Sequence, residues 1–124
     1  MVAENYLTGT LSAQLGVISP SIGYIDVNNN ILSGTVPFNV GLILRLVELN
    51  LYYNAFTGTL PSSMNRLQDL NILSLQHNYL SGSLDFLFNA TAQTQLDSVD
   101  ISNNQFTGTT VSVCTLLCLL FLAV

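Results

Sequence analysis

The chain has 124 residues, of which 49% are apolar and 7% charged, and its two arginines stand against seven carboxylates for a formal net charge of −5. That length holds one domain or a piece of one. The charge argues against nucleic acid and anionic membrane surfaces as partners, because neither phosphate neutralisation nor a polybasic anchor is available. The charged fraction, well below the usual quarter or so, suits a fold whose exposed face is built from Asn, Ser, Thr and Tyr.

Residues 1–4 read Met-Val-Ala-Glu, and no basic, apolar, small-residue signal peptide follows them. The chain then opens on Asn5, in the middle of a pattern that recurs along its length. The pattern is Asn-x-[Leu/Phe]-[Thr/Ser]-Gly-[Thr/Ser]. It stands at Asn5 to Thr10, Asn30 to Thr35, Asn54 to Thr59, Asn78 to Ser83 and Asn104 to Thr109, with the asparagines 25, 24, 24 and 26 residues apart. Self-similarity at such a period is the signature of a solenoid. The half-repeat before each asparagine is regular too. Leu46-x-x-Leu49-x-Leu51-x-x-Asn54 matches Leu70-x-x-Leu73-x-Leu75-x-x-Asn78, with looser copies from Ile22 to Asn30 and from Leu96 to Asn104.

This pattern resembles the leucine-rich repeat, and the Thr-Gly-Thr-Leu-Pro continuation at 57–61 is similar to the plant-type subclass found in receptor ectodomains and small secreted repeat proteins. The resemblance covers residues 5–109. It implies an α/β solenoid, a right-handed leucine-rich-repeat coil with a short parallel sheet on its concave side and turns and small helical segments behind. Arrays of this subclass usually begin with a cysteine-bearing cap. The start at Asn5, with its matching strand missing and no such cap, reads as a fragment or truncated product. The expected division is a repeat array over 1–109, a partial coil followed by about four coils, and an apolar tail over 110–124.

In chain order, residues 10–23 form the convex return of the partial coil, with Leu11 and Leu15 inward and Gly16 and Pro20 as punctuation. The first complete strand lies near Tyr24 to Val27. Alternation places Ile25 and Val27 in the core and Tyr24, Asp26 and Asn28 on the concave face. Asn30 turns the chain. The resemblance implies that Asn30, Asn54, Asn78 and Asn104 form a ladder whose side chains satisfy backbone groups in the bends, where unpaired donors and acceptors would be costly. In the second coil Glu48, Asn50, Tyr52 and Tyr53 point outward around Leu49 and Leu51. The return after Leu60-Pro61 predicts a short helical turn, with Ser62 as cap before Met64 and Leu67.

The third coil exposes Ile72, Ser74, Gln76 and His77. Its return departs from the pattern: Leu84-Asp85 stands where Leu-Pro is expected, and a longer insert follows. Within the insert, Asn89-Ala90-Thr91 is an N-glycosylation acceptor, relevant if the chain enters the secretory pathway. The fourth coil has Val99 and Ile101 inside, with Ser98, Asp100, Ser102 and Asn103 outside.

From Val111 to Val124 the sequence is almost wholly apolar. Fourteen residues fall short of the roughly 20 a spanning helix needs. The readings are a spanning helix completed further on, a glycolipid-anchor signal, a cap lying on the last coil, or a truncated or misread continuation. Membrane association through 111–124 is therefore one expectation among four. Cys114 and Cys118 both lie in this stretch. Four residues apart, they would share a helix face and could bridge only on a non-helical backbone; two free, buried thiols are the plainer reading.

No catalytic constellation is present, so no enzyme activity, cofactor or metal is expected. His77 is the one histidine, and it has no cysteine or carboxylate set around it for zinc. Asp26 and Asp100 share a column but lie three coils apart, on the order of 14 Å, beyond the roughly 5 to 9.5 Å of a glycosidase pair.

What remains is a surface. By columns it carries Tyr24 and Glu48; Asp26, Asn50, Ser74 and Asp100; Asn28, Tyr52, Gln76 and Ser102; and Asn29, Tyr53, His77 and Asn103. Tyr52 and Tyr53 are the leading contact residues, since tyrosine combines rigid area with a hydrogen-bonding tip, although Tyr53 could equally pack at the coil edge. The resemblance implies non-catalytic binding of a protein or peptide by a cell-surface or secreted protein. The alternative is a structural cell-wall or surface repeat protein without a specific ligand.

Overall fold

The computed structural model describes residues 5–87 and 95–108. Asn89 and the tail from 109 onward, with Cys114 and Cys118, lie outside them. Nine short strands and three helical turns follow one another in a fixed rhythm: β1 (Thr8–Thr10), α1 (Leu15–Ile18), β2 (Tyr24–Asp26), β3 (Ile31–Gly34), a 3-10 helix (Phe38–Leu42), β4 (Glu48–Asn50), β5 (Ala55–Thr59), a second 3-10 helix (Ser62–Arg66), β6 (Ile72–Ser74), β7 (Tyr79–Ser83), β8 (Ser98–Asp100) and β9 (Gln105–Thr107). Strands from successive coils stack in parallel. β2-β4-β6-β8 make a four-stranded sheet, and β1-β3-β5-β7-β9 make a second, five-stranded one.

The core lies between these walls and obeys the repeat. Leu46, Leu49, Leu51, Phe56, Leu67, Leu70, Leu73, Leu75, Leu80 and Leu84 are completely buried. Each contributes roughly 1.5–3 kcal/mol by leaving water. Burial is less complete toward the flanks, where Ile25, Val27 and Val99 keep 7–9% exposure. A coil in a solenoid is covered by its two neighbours, so the inner coils bury most.

The returns differ from the sequence expectation in two ways. First, the expected helical turn is a 3-10 helix entered through Pro61, and no side chain caps it. Pro37 does the same for Phe38–Leu42. Proline fits because its fixed φ leads into the turn and its missing N–H would have no partner there; its carbonyl still accepts from Met64 N–H at 3.1 Å and, in the earlier coil, from Val40 N–H at 3.0 Å. Ser62 does not cap; its neighbour Ser63 is buried and donates its hydroxyl to the Phe38 carbonyl at 2.6 Å, tying two returns together.

Second, the Asn-x-[Leu/Phe]-[Thr/Ser]-Gly-[Thr/Ser] segments form a sheet of their own rather than simple turns. Its hydroxyls reach across coils: Thr57 Oγ1 donates to Gly34 O and Ser81 Oγ to Gly58 O, each at 3.5 Å. The glycine in the motif has a double reason, clearest at Gly82. Its φ is +84°, which L side chains rarely adopt. A Cβ there would also stand 2.6 Å from Thr59 Cγ2 of the preceding coil. The motif threonine of one coil thus seats its methyl on the motif glycine of the next.

Candidate functional site

The parallel register of the four-stranded sheet sets the columns of the concave face. Tyr24 pairs with Glu48, Glu48 with Ile72 and Ile72 with Ser98; Asp26 pairs with Asn50, Asn50 with Ser74 and Ser74 with Asp100. Between these rows, Ile25, Leu49, Leu73 and Val99 point into the core. The inter-coil ladder then runs past the strands: Asn29 N–H donates to Tyr52 O, Tyr53 N–H to Gln76 O and His77 N–H to Ser102 O, at 3.0–3.1 Å. The residues at 28–29, 52–53, 76–77 and 102–103 are therefore held on the same rigid frame as the strands.

Below the strands stand the four buried or half-buried asparagines. Asn78 accepts from Phe56 N–H at 3.0 Å and donates to Leu51 O and Leu75 O at 2.9 and 3.0 Å. Asn54 accepts from Leu32 N–H and donates to Val27 O and Leu51 O, all within 3.1 Å. Asn104 repeats this with Leu80 N–H and Leu75 O, and Asn30 with Leu7 N–H and Val27 O. Each of these amides joins its own bend to the preceding coil. Val27 O, Leu51 O and Leu75 O each accept from two successive asparagines, which makes the spine continuous from coil to coil.

The surface itself is uneven. Asn28 and Asn50, which alternation places outward, are buried, at 5% and 9% exposure. Their amides turn back along the chain: Asn28 Nδ2 donates to Asp26 Oδ1 and Asn50 Nδ2 to Glu48 Oε1, each at 2.6 Å. They orient carboxylates rather than offer a face of their own. Asp100 Oδ1 is held in the same way, by Ser102 N–H at 3.0 Å and Ser102 Oγ–H at 2.7 Å. In all three carboxylates the second oxygen makes no hydrogen bond among the described residues. Gln76 Oε1 is buried and has no hydrogen-bond partner there either.

Tyr52, Tyr53 and His77 come together. The Tyr53 ring lies flat on the His77 ring, centroids 4.2 Å apart and planes 8° from parallel, and Tyr52 meets Tyr53 edge-on at 6.0 Å and 73°. Asn103 Nδ2 sits 3.2 Å from His77 Nε2, a contact that single-coil reading does not reveal. The backbone adds an observation. Asn29, Tyr53, His77 and Asn103 occupy one repeat position, and all four have φ between 51° and 57°. Asparagine and histidine tolerate this left-handed region; for a bulky residue such as tyrosine it is an outlier. Asn29 and Asn103 signal the conformation in the sequence, and Tyr53 stands where asparagine would cost less. Tyr24 lies apart, at the edge of the sheet and 69% exposed.

Among the described residues, no three His, Cys, Asp or Glu side chains approach closely enough to hold a metal. No described helix is long and apolar enough to cross a membrane.

Parallel coils, two strands per turn and an asparagine spine define a solenoid of leucine-rich repeats. The Leucine Rich Repeat family model matches residues 45–67, and no curated protein matches the chain. Among solved structures the fold is similar to the PEPR1–AtPEP1 complex (TM-score 0.80, 27% identity, covering 86% of this chain and 14% of that one). It is similar to the plant peptide hormone receptor RGFR1 in complex with RGF2 (0.79, 34%, 86% and 16%). It is also similar to the leucine-rich-repeat ectodomain of the receptor kinase SOBIR1 from Arabidopsis thaliana (0.79, 32%, 87% and 56%). The chain has the leucine-rich-repeat fold and is similar to these plant receptor ectodomains. It spans between about a seventh and just over half of the length of these three chains.

Proposed function

We propose that the chain is a non-catalytic recognition module that binds a protein or peptide on its concave face, as part of a cell-surface receptor-like or secreted protein. The observation that carries this reading is the Tyr53–His77 stack with Tyr52 against its edge. Strained positions cluster at functional sites because the surrounding structure must hold them there, and here Tyr53 takes a left-handed position that asparagine fills in the first and last of the four coils. Tyr53 keeps 49% of its surface exposed, so packing alone does not account for it. The solved neighbours whose structures include AtPEP1 and RGF2 support the same class of ligand. Glycosylation at Asn89 and membrane association through 111–124 belong to this reading as proposals.

The test is to pan a random dodecapeptide phage library against the full chain and measure the selected peptides by fluorescence anisotropy. Tyr52→Ala with Tyr53→Ala should weaken them at least about ten-fold, the scale of a truncated hot spot. Peptides that bind the double variant as tightly as the parent would sink the reading. A face that tolerates any substitution would favour a structural cell-wall or surface protein instead.

A further inference from the structure

We infer that the partner of the concave face is a cationic peptide, extended across the coils, with basic residues about four positions apart and an aromatic or aliphatic residue for the Tyr53–His77 platform. This rests on the concave-face reading above and adds the chemistry of the ligand.

The argument is one of charge. The described strands of the four-stranded sheet carry Asp26, Glu48 and Asp100 and no lysine or arginine. Both arginines of the chain lie elsewhere. Arg66 ends the second 3-10 helix, and Arg45 follows the first and pairs with Asp69 at 3.4 Å. The three carboxylates are also built as acceptors. Each has one oxygen fixed by a neighbour two residues along: Asn28 on Asp26, Asn50 on Glu48 and Ser102 on Asp100. A carboxylate held by one oxygen presents the other in a set direction, so less side-chain freedom is lost when a guanidinium or ammonium docks. An anionic ligand would meet three like charges with nothing to offset them, and like-charge juxtaposition excludes wrong partners efficiently.

The spacing narrows the ligand further. Asp26 and Asp100 head one column, joined through Asn50 and Ser74. Three strand steps separate them by about 14 Å, which an extended chain covers in about four residues. Glu48 lies one coil along and one row aside from Asp26, about 8 Å away from strand spacing and rise. A peptide crossing the coils thus meets a carboxylate at each end of its path and the aromatic platform beside its middle, where the second and third coils carry Tyr53 and His77.

The same library decides it. Tyr53-dependent binders should be enriched in arginine and lysine, with pairs about four residues apart, and their affinity should fall as salt rises from about 0.01 to about 1 M, where the Debye length shrinks from about 30 to about 3 Å. Asp26→Asn, Glu48→Gln and Asp100→Asn keep the shape and one acceptor oxygen. Each should weaken a selected basic peptide about three-fold, and the triple variant about thirty-fold, as partly exposed ion pairs do. Circular dichroism confirms that the triple variant is folded. Neutral or acidic binders that still need Tyr53 overturn the charge assignment and leave the concave reading standing. Basic binders indifferent to the triple variant overturn it as well. A library that yields no Tyr53-dependent binder overturns both.

Discussion

Asn78 is the place to test what holds the coils together. It keeps 6% exposure, and its one amide serves Phe56 N–H, Leu51 O and Leu75 O, groups from the second coil and from its own bend. Asn78→Ala removes three hydrogen bonds worth about 1 kcal/mol each in net terms. It also strands the buried Phe56 N–H, while Leu51 O and Leu75 O keep their bonds from Asn54 and Asn104, which brings the cost to about 3–5 kcal/mol. Against a typical total of about 5–15 kcal/mol, that is a large share, and urea denaturation followed by far-ultraviolet circular dichroism should show a midpoint lower by about 2 M. Asn78→Asp is the sharper variant. One carboxyl oxygen can still accept from Phe56 N–H, but the other faces two carbonyls and can donate to one of them only by carrying a proton. Its folded pKa is then raised above the unfolded value. The folded state binds more protons, so stability is greatest below the unfolded carboxyl range and is lost as pH rises toward the folded pKa. The reasoning is refuted if Asn78→Ala costs less than about 1 kcal/mol, the worth of a single bond, or if Asn78→Asp is as stable at neutral pH as in acid.

The remaining predictions concern the concave patch and the convex returns. Tyr53→Asn should leave stability within about 1 kcal/mol of the parent, because relief at φ +52° offsets the lost ring stack, while binding of Tyr53-dependent peptides disappears; a loss above about 2 kcal/mol in the same denaturation assay would make Tyr53 a structural residue. Gly41→Ala should destabilise by about 1–3 kcal/mol, since the new Cβ would fall on the Ser63 carbonyl where the two 3-10 helices meet. A thermal melt of that variant matching the parent would show that the returns can separate freely.

The frame of this molecule was legible because it depends on residues with a fixed period. Leu49, Leu73 and their equivalents can only be core, and five glycines on one schedule can only mark one recurring backbone. The second sheet was not legible in the same way. Its strands hold Thr-Gly-Thr, whose alternation is hidden by a glycine without a side chain, and whose cross-coil bonds run from Thr57 and Ser81 to glycine carbonyls. The concave face was read correctly as to columns, since register follows from the repeat. Depth differs at Asn28 and Asn50: alternation puts them in outward rows, but an amide two residues from a carboxylate folds back onto it and both are buried. The Tyr53–His77 stack needed the structure for another reason. The repeat places the two residues in one column, but the sequence does not show that both take a left-handed φ or that their rings lie flat on each other.

These two layers have different chemistry, and that separation lets the concave rows vary on a fixed frame. The asparagine spine and leucine core fix the spacing between coils without using any side chain of the concave rows. A side chain there can change without altering the frame, so its identity is free to follow a ligand. The rows are not uniformly free, however. At the left-handed position the frame itself prefers asparagine, and the first and last of the four coils comply with Asn29 and Asn103. Tyr53 goes against that preference on a face where Asp26, Glu48 and Asp100 are each oriented by a neighbour. A padding surface would relax to the cheaper residue and leave its carboxylates to solvent. On the proposed reading, a costly aromatic ring and oriented carboxylates serve a ligand that is apolar in its middle and positive at its ends.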